Sequence, residues 1–558
     1  MLPGINIPFE YAGNALGASA DELKLISVFL VSYPLAAILK RLPDSKPWLK
    51  SAYIVSVSIF FLIGLFDLWG GLGVIVFDAA ATYLIAAKIP GPYMPWIGFT
   101  FLMGHMSVSH LSRQFSGESG SVDITAAQMV MVMKLSAFCW NVWDGKQKDS
   151  DLSAFQKDRA LKKMPDILSY AAFVGFFPSL FPGPAFDYAD YDRWLNTSMF
   201  DLPPGTESNK APATKKQRKI PRSGTPAMKK LAQGLLWIFA FMQLGGIYNK
   251  SFVLSDTFMN YNFFHRILCL YLLGLTQRCK YYGVWLLTEG SCILAGIGYK
   301  GVDPKTGKPS WDRLNNIKPL EVELSQNSHT YLAYWNINTN VWLRNYVYLR
   351  VTPKGKKPGF SATLATFVTS AFWHGFYPGY YMAFLLASFV QNIAKNSRRL
   401  LRPFFMTPDG SKPTQYKPIY DVFSWFMTHL TFTFNVVPFI LLTYQDTLKA
   451  WGSVYYYGIV GTAACSIALL TPAKQILSKQ VKARSTRSAK KQDSPDEGSG
   501  KETLGVPGDP GKQWDVMVDE VVAEVNKRRG NKAGPDASEL RRNVQDRLSA
   551  LVQEASAK

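Results

Sequence analysis

Charge is what this chain is short of. Only 18% of its 558 residues are Asp, Glu, Lys or Arg, against about 25% in soluble globular domains, so the surface is not built to face water on all sides. Acids are the scarcer sign, 40 against 61 Lys and Arg, for a formal net charge of +21. Cysteine is sparse too. Cys139, Cys269, Cys279, Cys292 and Cys465 stand in or beside apolar stretches with no Cys-x-x-Cys pair, which removes metal-finger spacing and an oxidised framework. The N-terminus has no basic segment leading into a small-residue cleavage site, so no signal peptide is expected to be removed and the first apolar run should serve as the targeting signal. No internal repeat is found, which weakens a transporter built from duplicated halves. No nucleic-acid module accompanies the basic residues, so nucleic acid is not an expected partner.

What the chain has instead is apolar and aromatic surface, 48% and 14% of residues. Apolar runs recur to about residue 472, near Leu25–Ile38, Ala52–Phe66, Leu72–Ala87, Tyr93–Val108, Ala126–Val142 and Ile167–Phe181. More lie near Lys230–Ile247, Phe252–Leu275, Tyr282–Ile297, Phe360–Phe372, Tyr377–Val390, Phe423–Tyr444 and Trp451–Leu470. A bilayer span needs about 20 such residues. The pattern predicts an all-α, multi-pass membrane protein of about eleven spans, with two or three runs entering and returning. Basic loops at Lys146–Lys163, Lys210–Lys230 and Arg344–Lys357, and the segment after Lys474, mark the cytoplasmic side. The membrane body is expected over 1–472. Residues 473–558 form a basic cytoplasmic tail whose Lys474–Gly511 stretch is too polar to fold, with two short helices expected near Trp514–Arg528 and Ser538–Ala555.

Two stretches carry chemistry. Trp373-His374-Gly375-Phe376-Tyr377-Pro378-Gly379-Tyr380 sets an ionisable histidine among aromatic and apolar residues. An ionisable group at membrane depth is a functional-site candidate by default; the alternative is a core histidine bonded to a neighbouring helix. Upstream, Trp335-Asn336-Ile337-Asn338-Thr339-Asn340-Val341-Trp342-Leu343-Arg344 alternates three amides with apolar residues. Buried amides must be hydrogen-bonded, so this stretch lines a wet cavity, contacts a polar partner, or caps a helix. Asn336 precedes His374 by 38 residues, room for a helix, a loop and a second helix, so the two can meet at one depth.

No Gly-x-Ser-x-Gly elbow and no His-x-Glu signature is present, so neither a covalent serine nor a metal mechanism has support, and no metal ligand is assigned. Direct transfer remains: His374 removes the proton of a substrate hydroxyl as its oxygen attacks an activated acyl group. Asn336 donates to the developing oxyanion or holds the hydroxyl in line. A proton-relay transporter would need further intramembrane acids along a path, and no such series is evident.

The Trp-His-Gly-x-x-x-Gly-Tyr run with the upstream Trp-Asn-x-x-Thr-x-x-Trp-Leu resembles the membrane-bound O-acyltransferase superfamily, and within it the fungal broad-specificity lysophospholipid acyltransferases. Further matching blocks are Asp123–Met129 with Lys134, Leu135, Asp144 and Gly145, where Ala126 replaces a common Gly, and Gly183–Tyr191, where Phe186-Asp187 replaces pairs such as Glu-Tyr. Arg278–Tyr282 with Trp285, Glu289 and Gly290, and Trp311, Asp312 and Asn316, complete the likeness over roughly residues 20 to 470.

The resemblance implies a bundle of about eleven helices around an intramembrane chamber, with His374 catalytic and Asn336 the second active-site residue. It implies no bound cofactor, acyl-CoA as co-substrate from the cytoplasm, and a lysophospholipid acceptor from the bilayer. The reaction implied is esterification of the free hydroxyl, in the main sn-2, of lysophosphatidylcholine, lysophosphatidylethanolamine or lysophosphatidic acid, at the endoplasmic reticulum membrane. Diacylglycerol, a sterol or a protein are the alternative acceptors, and a lipid transporter or a non-catalytic scaffold the alternative functions. Candidate substrate contacts are Trp335, Asn338, Asn340, Trp342, Trp373, Tyr281 and Tyr282. For the coenzyme A phosphates the candidates are Arg344, Arg350, Lys354, Lys356 and Lys357, or Arg278 and Lys280; positive-inside topology is the alternative reading of each. His105, His110, His265, His329 and His429 share no motif, and most of them are expected to be structural. The sequence leaves a homodimer open.

Overall fold

Helix ends in this chain are written into its short polar residues. In the computed structural model, which describes residues 4–16, 19–116, 122–202, 214, 218–303, 307–352 and 360–489, Ser19 and Glu22 close a capping box on Ala20–Arg41. Asp21 and Glu22 lie at its positive end and Lys40 and Arg41 at its negative end, complementing the helix dipole. Pro47–Ile59 starts on a proline and widens into a π-type turn, Phe60–Leu65. Trp69–Lys88, Met94–Phe115 and Thr125–Gly145 follow and pack on one another. Most residues of Thr125–Gly145 are buried, as suits a helix surrounded by neighbours.

The Phe263–Ala295 helix is the post of the second half. Asn262 caps its start through His265 N, and Gly296, at φ +104°, ends it. Its 33 residues reach about 50 Å at 1.5 Å per residue. It packs along Gly224–Gly245 and against Ala20–Arg41. The crossing is close because Gly234 and Gly283 face each other: a Cβ on either would stand 3.1 Å from the other's carbonyl oxygen. Small residues of this kind let membrane helices approach without a hydrophobic driving force between them. Phe360–His374, Pro378–Leu401 and Lys417–Leu441 form a third group, joined to the post through Lys417–Leu441. The sole strand pair among the described residues is a hairpin joining Gly301–Val302 to Pro309–Ser310.

Among the described residues, four helical segments are long and apolar enough to cross a membrane: Ala20–Arg41, Pro47–Leu65, Trp69–Lys88 and Gly224–Val253. A fifth results if Tyr444–Ser453 and Tyr457–Leu470, bent by 80°, count as one broken span. Their outward faces are apolar, with Phe77, Leu84, Leu236 and Phe239 exposed, which suits lipid and not water.

Three expectations change. The runs at Phe252–Leu275 and Tyr282–Ile297 are not two spans, because one helix covers most of both. Residues 276–281 are Thr-Gln-Arg-Cys-Lys-Tyr, with no helix breaker, and Arg278 finds a carboxylate there. The run at Ile167–Phe181 yields a helix only over Ile167–Val174, stopped by Gly175 and followed by a tight turn at Phe177–Ser179. Beyond the body, the polar stretch from Lys474 is helical as far as Ala489. Pro472 opens that helix and Lys, Gln, Ala and Arg extend it, residues with good helix propensity that need no buried face. Lys354, Lys356, Lys357 and the helices expected at Trp514–Arg528 and Ser538–Ala555 lie outside the described residues.

Candidate active site

His374 is the last residue of Phe360–His374, where helix carbonyls lack intrahelical partners. Its Nδ1 lies 2.6 Å from the carbonyl oxygen of Ser370, one turn back. A carbonyl only accepts, so Nδ1 carries the proton and Nε2 presents its lone pair. Among the described residues nothing bonds Nε2. The ring is half-buried and boxed by Trp373, Phe384, Phe439 and Tyr380, at centroid distances of 4.7, 5.0, 5.1 and 5.7 Å. Behind it the chain turns out of the helix through Gly375 at φ +120°.

Asn336 has a left-handed backbone, φ +47° and ψ +55°, a conformation Asn tolerates better than most residues and one that collects at functional sites. The turn is braced by Asn316, whose carbonyl accepts from Ile337 N at 2.9 Å and whose Oδ1 accepts from Asn338 N at 3.0 Å. Thr339 Oγ1 stands 2.8 Å from Asn336 Oδ1 and 3.3 Å from Met133 Sδ. With one proton to give, the hydroxyl serves the better acceptor, the amide oxygen. Asn336 Nδ2 is thereby turned outward as a donor, and no described residue takes it up.

One helix holds both segments. The Trp373 indole Nε1 donates to the carbonyl of Met129 at 3.0 Å, Thr339 rests on Met133, and the Trp342 indole Nε1 donates to Ser136 Oγ at 2.9 Å. Residues 129, 133 and 136 share a face of Thr125–Gly145, and Met129 to Met133 is a rise of about 6 Å. The residue next to His374 and the residue bonded to Asn336 therefore dock within about one helical turn of each other. Trp342 and Trp373 meet at 6.1 Å, closing the same arrangement from the other side.

The remaining candidates divide. Trp335 joins Tyr281, Tyr282 and Trp285 in an aromatic wall, at 5.8, 5.9 and 5.2 Å, directly before Asn336. The Asn340 amide donates to the carbonyls of Leu332 and Trp335, both at 2.7 Å, and the Asn338 amide to Leu314 at 3.5 Å, so both fasten the loop. Arg278 is held by Glu323, Nε to Oε1 at 2.7 Å and Nη2 to Oε2 at 2.9 Å, with Tyr282 donating to the same carboxylate at 2.7 Å. Arg350 grips Asp144 with two nitrogens at 2.9 and 2.5 Å and lies over the Trp140 ring. Lys280 stands 5.6 Å from the Phe241 ring centre, and Arg344 is half-buried on the wide turn Leu343–Tyr348.

Outside the spans, Arg193 bridges Asp158 and Asp190 while Arg159 holds Asp187. The Arg193 hydrogen bond keeps the Asp158 carboxyl below its usual range. Among the described residues no three His, Cys, Asp or Glu side chains gather as a metal site. Residue-by-residue reading gave no role to Ser370, Thr339 or the Met129–Ser136 face. Thr339 alone had a signal, since a hydroxyl three residues after a helix-starting Asn is placed to bond its side chain.

A family model for MBOAT, the membrane-bound O-acyltransferase family, matches residues 111–437, which include Asn336 and His374. The chain is 44% identical over 453 residues to the lysophospholipid acyltransferase of Schizosaccharomyces pombe, covering 81% of this chain and 87% of that protein. It is 42% identical over 449 residues to the lysophospholipid acyltransferase of Saccharomyces cerevisiae, covering 79% and 72%. The human membrane-bound glycerophospholipid O-acyltransferase 2 is 28% identical over 450 residues, covering 79% and 84%.

Proposed function

The chain belongs to the membrane-bound O-acyltransferase family and is a lysophospholipid acyltransferase; from that premise we propose the donor, the acceptor atom and the residues that carry the transfer. The donor is acyl-CoA and the acceptor the free hydroxyl, in the main sn-2, of lysophosphatidylcholine, lysophosphatidylethanolamine or lysophosphatidic acid. His374 Nε2 takes the hydroxyl proton as that oxygen bonds to the thioester carbonyl carbon. The carbonyl oxygen becomes an oxyanion facing Asn336 Nδ2. The C–S bond then breaks, the new ester is released, and the coenzyme A thiolate takes the proton back from His374.

The observation that carries this reading is the bond from His374 Nδ1 to Ser370 O. It fixes the tautomer with the lone pair on Nε2, and it sets the transient imidazolium at the negative end of its own helix. A main-chain carbonyl and a helix end thus do what a carboxylate does in a serine-protease triad. A thiolate leaves with little acid assistance, so one histidine suffices. The aromatic wall of Trp335, Tyr281, Tyr282 and Trp285 suits an oily substrate beside the reacting atoms. The same reading keeps about eleven spans, adding helices shorter or more polar than the four or five apolar ones. It puts the enzyme in the endoplasmic reticulum membrane with its tail in the cytoplasm.

The test is coenzyme A thiol release by purified protein given oleoyl-CoA with and without lysophosphatidylcholine. Release that depends on the lysolipid is expected, and His374→Ala should lower it by roughly 10²- to 10⁴-fold at unchanged thermal stability. Full activity in that variant removes His374 as the base.

A further inference from the structure

His110 stands in no catalytic motif, yet it is bound to the end of the catalytic helix. It lies on Met94–Phe115 with its side chain buried. Its Nε2 is 3.1 Å from the carbonyl oxygen of Trp373, so Nε2 carries the proton and donates to one of the last carbonyls of Phe360–His374, a group with no partner inside its helix. The same ring lies against Gly375. A Cβ there would stand 2.9 Å from His110 Nδ1, so the backbone turns at φ +120° directly over the imidazole.

Trp373 is therefore gripped from two helices, its carbonyl by His110 and its indole by Met129 O at 3.0 Å. Those two helices are locked to each other and to Trp69–Lys88. His105, on the helix of His110, meets Asp78 Oδ1 at 2.6 Å, and Gln128, the neighbour of Met129, donates to Asp78 Oδ2 at 2.9 Å. The chain runs without a break from a buried carboxylate, through two helices, to both sides of the residue before His374.

We propose that His110 is a positioning residue for acyl transfer, fixing where His374 Nε2 points by holding the Trp373 carbonyl and supporting the Gly375 turn. This rests on the reading of His374 as the base. The consequence differs from that of a core histidine that merely fills space. Loss of core packing lowers stability and the amount of folded enzyme, whereas a misaimed base lowers kcat in enzyme that still folds and binds. A displacement of about 1 Å can cost on the order of 10²-fold.

The experiment compares His110→Phe, His110→Asn and His110→Gln with the parent and with His374→Ala in the thiol-release assay, measuring kcat, KM for oleoyl-CoA and for lysophosphatidylcholine, and Tm. Gln places an N–H near the position of Nε2 and should keep kcat within about 3-fold of the parent. Phe fills the space without a donor, and Asn keeps a polar group but sets its N–H too far back. Both should lose roughly 10- to 100-fold in kcat with both KM values unchanged. Asn keeps the test decisive if the Phe variant does not fold. Phe or Asn variants with parental kcat, a loss confined to KM or Tm, or a Gln variant as impaired as Phe would each overturn the proposal. If His374→Ala is itself fully active, it is the base assignment that has failed.

Discussion

Two pairs of polar side chains stand among aromatic residues in this protein, and they end in opposite states. Arg278 and Arg350 have each closed on a carboxylate with two nitrogens, Glu323 and Asp144. His374 and Asn336 have each been oriented by a single bond, to Ser370 O and from Thr339 Oγ1, and keep a second polar atom open. Burying a polar group without a partner costs on the order of 1–3 kcal/mol, so on the proposed reading the open lone pair of His374 and the open N–H of Asn336 are what a substrate would complete.

The sharpest way to break the comparison, after loss of His374 itself, is Asn336. Removing one oxyanion donor costs about 10²- to 10³-fold in kcat, so Asn336→Ala should fall by that amount with KM for lysolipid little changed. The backbone complicates a simple reading, because φ is +47° there and alanine is strained in that region. Asn336→Gly removes the strain but not the loss of the amide. It should be as slow as alanine if the amide matters, and close to parental if the position matters only for its turn. Initial rates over a range of lysophosphatidylcholine concentrations separate the two.

Thr339 gives a smaller effect of the same kind. Thr339→Val keeps the shape and deletes the hydroxyl that faces Asn336 Oδ1. The amide is then free to rotate, at a cost of about 1 kcal/mol for one hydrogen bond, or roughly 5-fold in kcat. Thr339→Ser should retain most of the rate. A valine variant with unaltered kcat would show that the Asn336 amide is held by something other than this hydroxyl.

How much of this was legible beforehand follows from the range of each interaction. His374 and Asn336 stand out because an ionisable or amide side chain in an apolar run is conspicuous without knowing its neighbours. The bond that sets the His374 tautomer spans four residues, and the one that sets Asn336 spans three, so both are local. The partners of the arginines are remote, 45 residues from Arg278 to Glu323 and 206 from Asp144 to Arg350. Nothing in composition or spacing links such pairs, and both arginines read equally well as phosphate ligands. The same blindness split Phe263–Ala295 in two, because a charged Arg278 looks like a loop until Glu323 is seen beside it. The role proposed for His110 was hidden in the same way, its bond to Trp373 crossing 263 residues.

The smallest expected change in activity belongs to the arginine side of the comparison. Arg278→Ala strands the Glu323 carboxylate, and breaking a buried pair costs about 3–5 kcal/mol, so that variant should lose stability. The double change Arg278→Met with Glu323→Leu removes both charges and keeps the volume. Replacing a buried ion pair by apolar residues is often neutral or stabilising, so Tm should return close to the parental value. If Arg278 only braces the Phe263–Ala295 helix against Pro319–Glu323, kcat and both KM values of the double variant stay within about 3-fold of the parent, since no bond to a substrate phosphate has been lost. If instead the guanidinium leaves Glu323 to hold a phosphate of the lysolipid or of coenzyme A, the corresponding KM rises by about tenfold or more, the loss of a charged hydrogen bond. Arg278 would then join His374 and Asn336 in the set of residues proposed to finish their bonding on a substrate.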